Sequence, residues 1–400
     1  MLKPLLILST MSIFALANAP VAHIDVKNSV QEYLDTTLSS QDKLGGWAIL
    51  DRKKANNSET FTSTYTKTTK VIADNPMEDM QGLSFDHAIK YSKDTFHAVS
   101  TLSKFPSNMH FNKVEKQMSE QIIKDKLLEV TSDYNVVNHK YTASLKDINT
   151  TLPEVSLETN AFTLQGVYNP KDLLNQSASV TLKHLLMKPT AQKLAKEYIR
   201  IDNISINSQS KAQAKTLTSD YQVHIDTIDS IFMGASSLLK NFNLKMTVGN
   251  VDAIAYKSLT EELQSNPTLD INDPKTINTL TNLFTAQGVY LELNDLSVSE
   301  LKVKNIAMGS GRISAKISLN STPELAKMIA ISPLMALSAL EVEAHIELSD
   351  AMYQAVMLDK RAMMLQMLTP KRVNGNRIYD ISFKQGKLLV NGKPFGPPSH

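Results

Sequence analysis

From Tyr198 almost to the C-terminus the chain alternates apolar and polar residues in steps of two. Ile199, Ile201, Ile204 and Ile206 form one apolar set, and Tyr221, Val223 and Ile225 a second. Leu244, Met246 and Val248 follow, then Val289, Leu291 and Leu293, then Ile313, Ala315, Ile317 and Leu319, then Leu340, Val342, Ala344, Ile346 and Leu348. Successive side chains of a strand point to opposite faces, so each set predicts a ribbon with one apolar side. Several such ribbons in series predict an extended antiparallel sheet whose apolar face needs a cover. Helical spacing interrupts the strands at three capped starts. Asp273-Pro274 precedes Ile277, Leu280, Leu283 and Phe284; Thr322-Pro323-Glu324 precedes Leu325, Met328, Ile329 and Ile331; Ser349 precedes a methionine-rich helix expected over Asp350–Leu368. The expected fold class is α+β: a long, twisted antiparallel β-sheet partly covered by amphipathic helices, elongated.

The N-terminal part is less regular. Ser29–Leu38 reads as a short helix, the charged, Asn-rich Asp51–Glu59 as a loop, Phe61–Val71 as a strand, Val114–Val130 as a helix and Val137–Leu145 as a strand. Pro153 is a joint between an N-terminal α+β region, residues 18–153, and a β-rich region, residues 154–400. One text recurs: Phe162-Thr163-Leu164-Gln165-Gly166-Val167-Tyr168 and Phe284-Thr285-Ala286-Gln287-Gly288-Val289-Tyr290 differ at one position, which predicts a duplicated strand-turn unit. The closing text alternates again through Tyr379, Ile381 and Phe383, turns at Gln385-Gly386, returns through Leu388 and Val390, and turns at Asn391-Gly392.

Residues 1–17 read as a secretory signal: Lys3 supplies a positive charge, Leu5–Leu16 is apolar, and Ala15-Leu16-Ala17 fits the small-x-small cleavage rule. The apolar stretch is shorter than the roughly 20 residues of a spanning helix. The expected location is periplasmic, with inner-membrane anchoring if the signal stays uncleaved. The 400 residues contain no cysteine, which excludes disulfides, thiolate metal sites and cysteine nucleophiles. Lys and Arg total 42 against 40 Asp and Glu, interspersed, so there is none of the basic excess of a nucleic-acid partner.

Candidate chemistry is sparse. There is no Gly-rich phosphate loop, HExxH or GxSxG. The sharpest polar cluster is Glu341, Glu343, His345 and Glu347, but side chains two apart in a strand lie roughly 7 Å from each other, wide for shared ligation of one metal. A solvated strand face explains it without a cation. His87, His97, His110, His139, His184 and His224 lack ligand spacing, and His139 and His224 are expected on solvent faces. Asp226 and Asp229 near Asp202 read as strand polar face rather than an acidic pair, and Trp47 as a core plug rather than a sugar platform. Met352, Met357, Met363, Met364 and Met367 could line an adaptable apolar groove, since thioethers repack around varied partners, or simply fill core. No catalytic, cofactor or metal residue is assigned.

The text Arg377-Ile378-Tyr379-Asp380-Ile381-Ser382-Phe383 through Val390-Asn391-Gly392-Lys393-Pro394-Phe395 resembles the closing motif of the YdgA-like family of bacterial envelope proteins, whose function is largely uncharacterised. The likeness is best from about Leu280 to Phe395. It implies an envelope location and a fold, and carries over no catalytic residue. The resulting expectation is a non-enzymatic envelope protein, without cofactor, presenting an apolar groove to lipid or to a partner protein. Membrane contact is expected only through an uncleaved N-terminus. A homodimeric partner-binding module, or a periplasmic hydrolase or metal-dependent enzyme built on His345 and Glu343, are the alternatives.

Overall fold

In the computed structural model the described residues are 46–66, 81–107, 109, 111–135, 137–169, 172, 174–191, 194, 196–265, 273–320, 339–359 and 362–395. The signal segment, the helix expected over Ser29–Leu38 and the helix expected after Thr322 lie outside them. The chain divides into two units, Met1–Lys171 with Ala178–Glu197, and Asp172–Ser177 with Tyr198–His400.

The first unit is a succession of antiparallel pairs. Strands β1 (Gly46–Ala55), β2 (Ser58–Thr66), β3 (Ser84–Tyr91) and β4 (Thr95–Lys104) pair in order, and helix α1 (Lys113–Lys124) intervenes before β5 (Glu129–Asn135) and β6 (Lys140–Leu145). Strands β7 (Ile148–Thr151) and β8 (Val155–Asn160) form a hairpin whose turn holds Pro153, β9 (Phe162–Val167) pairs with β6, and β10 (Gln176–Pro189) pairs with β8. The Asp51–Glu59 text is not a loop: it is the β1–β2 hairpin, turning at Asn56-Asn57. The helix expected over Val114–Val130 ends at Lys124, and Glu129 already begins β5. Asn112 starts α1 with a full capping box, its side chain accepting from the Val114 and Glu115 amides while Glu115 accepts from the Asn112 amide. Tyr65, Leu83, Leu102, Ile122, Leu128, Ile148 and Leu152 close one core under α1, and Phe61, Ile89, Phe96, Ala98 and Tyr134 close another.

The second unit is built on longer strands: β11 (Tyr198–Gln213), β12 (Thr216–Phe232) and β13 (Ala235–Asp252), then β14 (Tyr290–Val303), β15 (Ile306–Leu319) and β16 (Leu340–Ser349), each antiparallel to the one before. Helices α2 (Ala253–Ser265) and α3 (Pro274–Thr285) lie between β13 and β14. The helix predicted from Asp273-Pro274 is present, with Asp273 accepting from the Lys275 amide. The helix predicted over Asp350–Leu368 is not continuous: α4 covers Asp350–Met357, and a single turn, α5 (Met363–Gln366), follows. Strand β18 (Asn376–Lys384) pairs with β16, with β17 (Lys371–Val373) and with β19 (Lys387–Val390), and β20 (Lys393–Pro394) closes the hairpin. Gln385-Gly386 and Asn391-Gly392 both take positive φ, the two-residue turn expected of those pairs.

The α+β expectation is overturned. The described residues are mostly β, 63% strand against 16% helix, and the longest described helix has 13 residues. Several segments read as loop or helix became strand, and the remaining helices are too short to cover a sheet of this length. The recurring text is also not a duplicated unit. Its first copy is strand β9, whereas the second begins in α3, turns at Gly288 and enters β14. Its neighbours decide: Phe162 pairs with β6, while Phe284 ends an amphipathic helix that began at Pro274.

Candidate functional site

Cross-strand register assembles the apolar sets of the second unit into continuous rows. Ile206, Val223, Leu244, Leu296, Ile313, Ile346 and Tyr379 align across β11, β12, β13, β14, β15, β16 and β18. A second row runs Tyr221, Met246, Leu293, Ala315, Ala344 and Ile381. The strict alternation expected in β11 slips at one level: Ile201 and Ile204 are three apart, as are Ile225 and Ile228, and Leu239 and Phe242. Register places all three slips side by side, with Asn203 and Asn241 at φ 51° and 48° between them. A left-handed residue reverses the side to which the next side chains point, so the extra residue keeps both halves of β11 and of β13 apolar on one face.

Among the described residues, helices cover this face at its two ends. At the β12–β13 base, Leu217, Val251, Ala253, Ala255 and Leu283 form a core with α2 and α3. At the other end Leu348, Met352 and Tyr379 are buried under α4. Arg377 ties that helix down by donating from Nε to Asp350 at 2.7 Å and stacking its guanidinium 4.9 Å from the Tyr353 ring centroid. Gly309 (φ 79°) allows this approach, because a Cβ there would strike Ser349 Oγ, which caps α4. Between these ends Val223, Leu244, Leu296, Ile313 and Ile346 are half-buried rather than fully buried, and Ile206 and Ile317 are each 43% exposed. Completed cores exclude water from such side chains, so this strip is the feature that needs a function.

The opposite face is polar and internally paired. His224, Asn243, Ser297, Arg312 and Glu347 stand in one row. His224 Nδ1 lies 2.7 Å from Asn243 Oδ1 and Nε2 2.6 Å from Asp226 Oδ1. Both neighbours accept, so the imidazolium satisfies them together, and these bonds raise the His224 pKa above its ordinary 6.5. Asn203 and His224 lower that of Asp226 in turn. A shallow polar concavity of about 310 Å³ is lined here by Asn241, Asn243, Ser297, Arg312, Glu347 and Asn376 among others. The Glu341–Glu347 cluster does not converge. His345 pairs with Asp380 at 2.7 Å, Glu343 with Lys384 at 2.9 Å, and Glu347 accepts from Asn376 at 2.6 Å. Arg200 lies between Asp202 and Asp229, 3.2 Å from each, and Asp226 is held by His224, so these three are not an acidic pair. Among the described residues no group of three His, Asp or Glu side chains could hold a metal ion.

Residues 97–398, about three quarters of the chain, match the family described as bacterial protein of unknown function, DUF945. The chain belongs to this family. No curated protein and no solved structure matches it. The DUF945 region takes in every strand of the second unit, and with them the open apolar face.

The described methionines expected to line a groove differ in exposure. Met352 is buried, Met357 half-buried and Met367 67% exposed, and the side chains of Met363 and Met364 lie outside the described residues. One polar residue of this DUF945 chain escaped the sequence reading. His87 is half-buried in the first unit, its ring stacked 4.7 Å from Phe61, with Ser63 Oγ 2.7 Å from Nε2 and Ser100 Oγ 2.8 Å from Nδ1. Burial pushes its pKa down to about 4. The signal was available: Phe85, His87 and Ile89 share one face of β3 by two-residue spacing. His139, expected on a solvent face, has φ 57° and sits with Nδ1 3.1 Å from the Tyr134 hydroxyl.

Proposed function

We propose that this DUF945 chain is a non-enzymatic protein of the bacterial cell envelope, of the YdgA-like type, which presents the apolar face of its second unit to lipid acyl chains. The observation that carries this reading is the strip of half-buried Val, Leu and Ile side chains between the α2–α3 core and the α4 cap. Its chemistry suits alkyl chains: it is continuous across β11 to β16, and its register rows carry no charged side chain. Met352 and Met357 at one end provide side chains that repack around different occupants. The apparent signal segment and the absence of cysteine agree with export of a protein held by burial and sheet pairing. On the polar face His224 and His345 pair with Asp226 and Asp380, and Glu343 with Lys384, which favours a solvated strand face over a converging site.

Native mass spectrometry of gently purified protein tests the proposal. The expected spectrum carries lipid adducts that disappear in a Leu244→Gln/Ile313→Gln variant of unchanged strand content. Lipid-free protein whose solvatochromic dye binding is the same in wild type and variant would overturn it.

A further inference from the structure

The second unit ends, on the side away from the α2–α3 core, in two hairpin turns that expose unusually large apolar side chains. The β12–β13 turn exposes Phe232 at 62% and Met233 at 80%; the β14–β15 turn exposes Val303 at 41% and Ile306 at 68%. Both turns hold their central residues at positive φ, Met233-Gly234 in one and Lys304-Asn305 in the other, the tight form whose twist matches the strands. The two tips are fastened to each other. The Asn305 amide donates to the Ser236 carbonyl at 2.8 Å, the Ser236 amide and hydroxyl donate to Asn305 Oδ1 at 3.0 and 2.8 Å, and the Lys304 amide donates to Ser237 Oγ at 3.2 Å. The apolar side chains are therefore displayed on a braced edge.

Charge selects the partner. Between Ser230 and Leu238, and between Leu301 and Met308, there is no carboxylate, while Lys302 and Lys304 have no carboxylate partner among the described residues. Four side chains on turns fall well short of the roughly 800 Å² per partner of a stable protein interface. Apolar tips flanked by lysine match the layered chemistry of a bilayer surface, where alkyl side chains enter the interfacial region and cations meet anionic headgroups. We propose that these fastened tips form a membrane-docking edge, inserting Phe232, Met233, Val303 and Ile306 into an anionic bilayer with Lys302 and Lys304 at the headgroups. Leu358, 86% exposed just after α4, leaves the same end of the sheet, since α4 follows β16 beside Gly309. The docking edge is independent of whether the sheet face carries lipid.

Because the chain has no cysteine, a nitroxide can be placed at one site at a time. Full-length Ile306→Cys and Ala214→Cys proteins, the second labelled in the β11–β12 turn at the opposite end, are mixed with vesicles of phosphatidylethanolamine and phosphatidylglycerol. The expected result is that the label at 306 becomes accessible to oxygen and shielded from a polar nickel complex, while the label at 214 stays aqueous. In sedimentation, Lys302→Gln/Lys304→Gln weakens binding to anionic vesicles by about thirtyfold, from roughly fivefold per lysine, and Phe232→Ser/Met233→Ser weakens it further without changing the melting temperature. An aqueous label at 306 overturns the proposal, because vesicle binding would then run through the N-terminal segment alone, and so does equal immersion of both labels. Loss of lipid adducts with retained docking would remove the sheet-face reading and leave this one standing.

Discussion

His87 offers the sharpest energetic test of the first unit. In the folded protein its imidazole is neutral down to about pH 4, whereas the unfolded chain takes up the proton near 6.5. The unfolded state therefore binds more protons throughout that window, and stability falls as pH falls through it. At about 1.36 kcal/mol per pH unit, the gap is worth about 3.4 kcal/mol when fully expressed and about 2 kcal/mol at pH 5. His87→Phe keeps an aromatic ring beside Phe61 and Phe85 and removes the titration, but leaves the Ser63 and Ser100 hydroxyls without their shared partner, costing about 1–3 kcal/mol at neutral pH. Wild type is thus the more stable protein at about pH 7.5, and the two converge near pH 5. Urea unfolding followed by the fluorescence of Trp47, the only tryptophan and a residue of β1, reads this unit directly. Carboxylates titrate in both proteins, so the difference between the two curves isolates His87. Parallel curves from about pH 7.5 to 5 would show that the imidazole is not held neutral by burial.

Three further outcomes are expected. Glu59 is 3% exposed and accepts from Arg52 and the Tyr91 hydroxyl, so Glu59→Gln leaves a half-buried guanidinium uncompensated and lowers stability by about 3 kcal/mol; a urea midpoint unchanged from wild type would refute this. Gly249→Ala drives a Cβ into the Tyr290 ring, which also carries Lys316 Nζ 4.7 Å from its centroid, and costs about 1–3 kcal/mol. A Gly249→Ala/Tyr290→Ala double variant should fall short of additivity, and strictly additive melting shifts would rule out the clash. Asn112→Ala removes the α1 cap and costs about 1 kcal/mol, measured as faster amide exchange in the first turn of that helix.

Local chemistry was legible wherever a feature is closed within a few residues. Asp273-Pro274 and Ser349 cap helices, and Gln385-Gly386 and Asn391-Gly392 turn the closing hairpin, because each motif satisfies its own backbone or sterics. The apolar sets of Tyr198 to Leu348 became β11 to β16 for a similar reason: alternation encodes a face without reference to any partner. Helix ends were harder to read. The apolar spacing of Val114 to Val130 spans a boundary at Lys124, since Leu127 and Leu128 pack into the core from a turn rather than from a helix. The open face itself was posed as a question by the sequence, but its exposure could not be read from it.

What the chain determined unaided is a two-sided β surface, its turns, its helix starts and the lack of any cysteine-based chemistry. Tertiary structure decided the rest, because the deciding contacts join residues far apart in sequence. The near-identical texts at Phe162 and Phe284 adopt strand and helix-turn because β6 pairs with one and α3 leads into the other. The acidic run beside His345 does not converge because β18 brings Lys384 to Glu343, Asn376 to Glu347 and Asp380 to His345. Only the folded chain shows that, among the described residues, helices cover the apolar face at its two ends and the side chains between them stay half-buried. Alternation specifies which side of a strand is apolar, while burial depends on how much other surface reaches that side, and among the described residues the short helices reach only the ends.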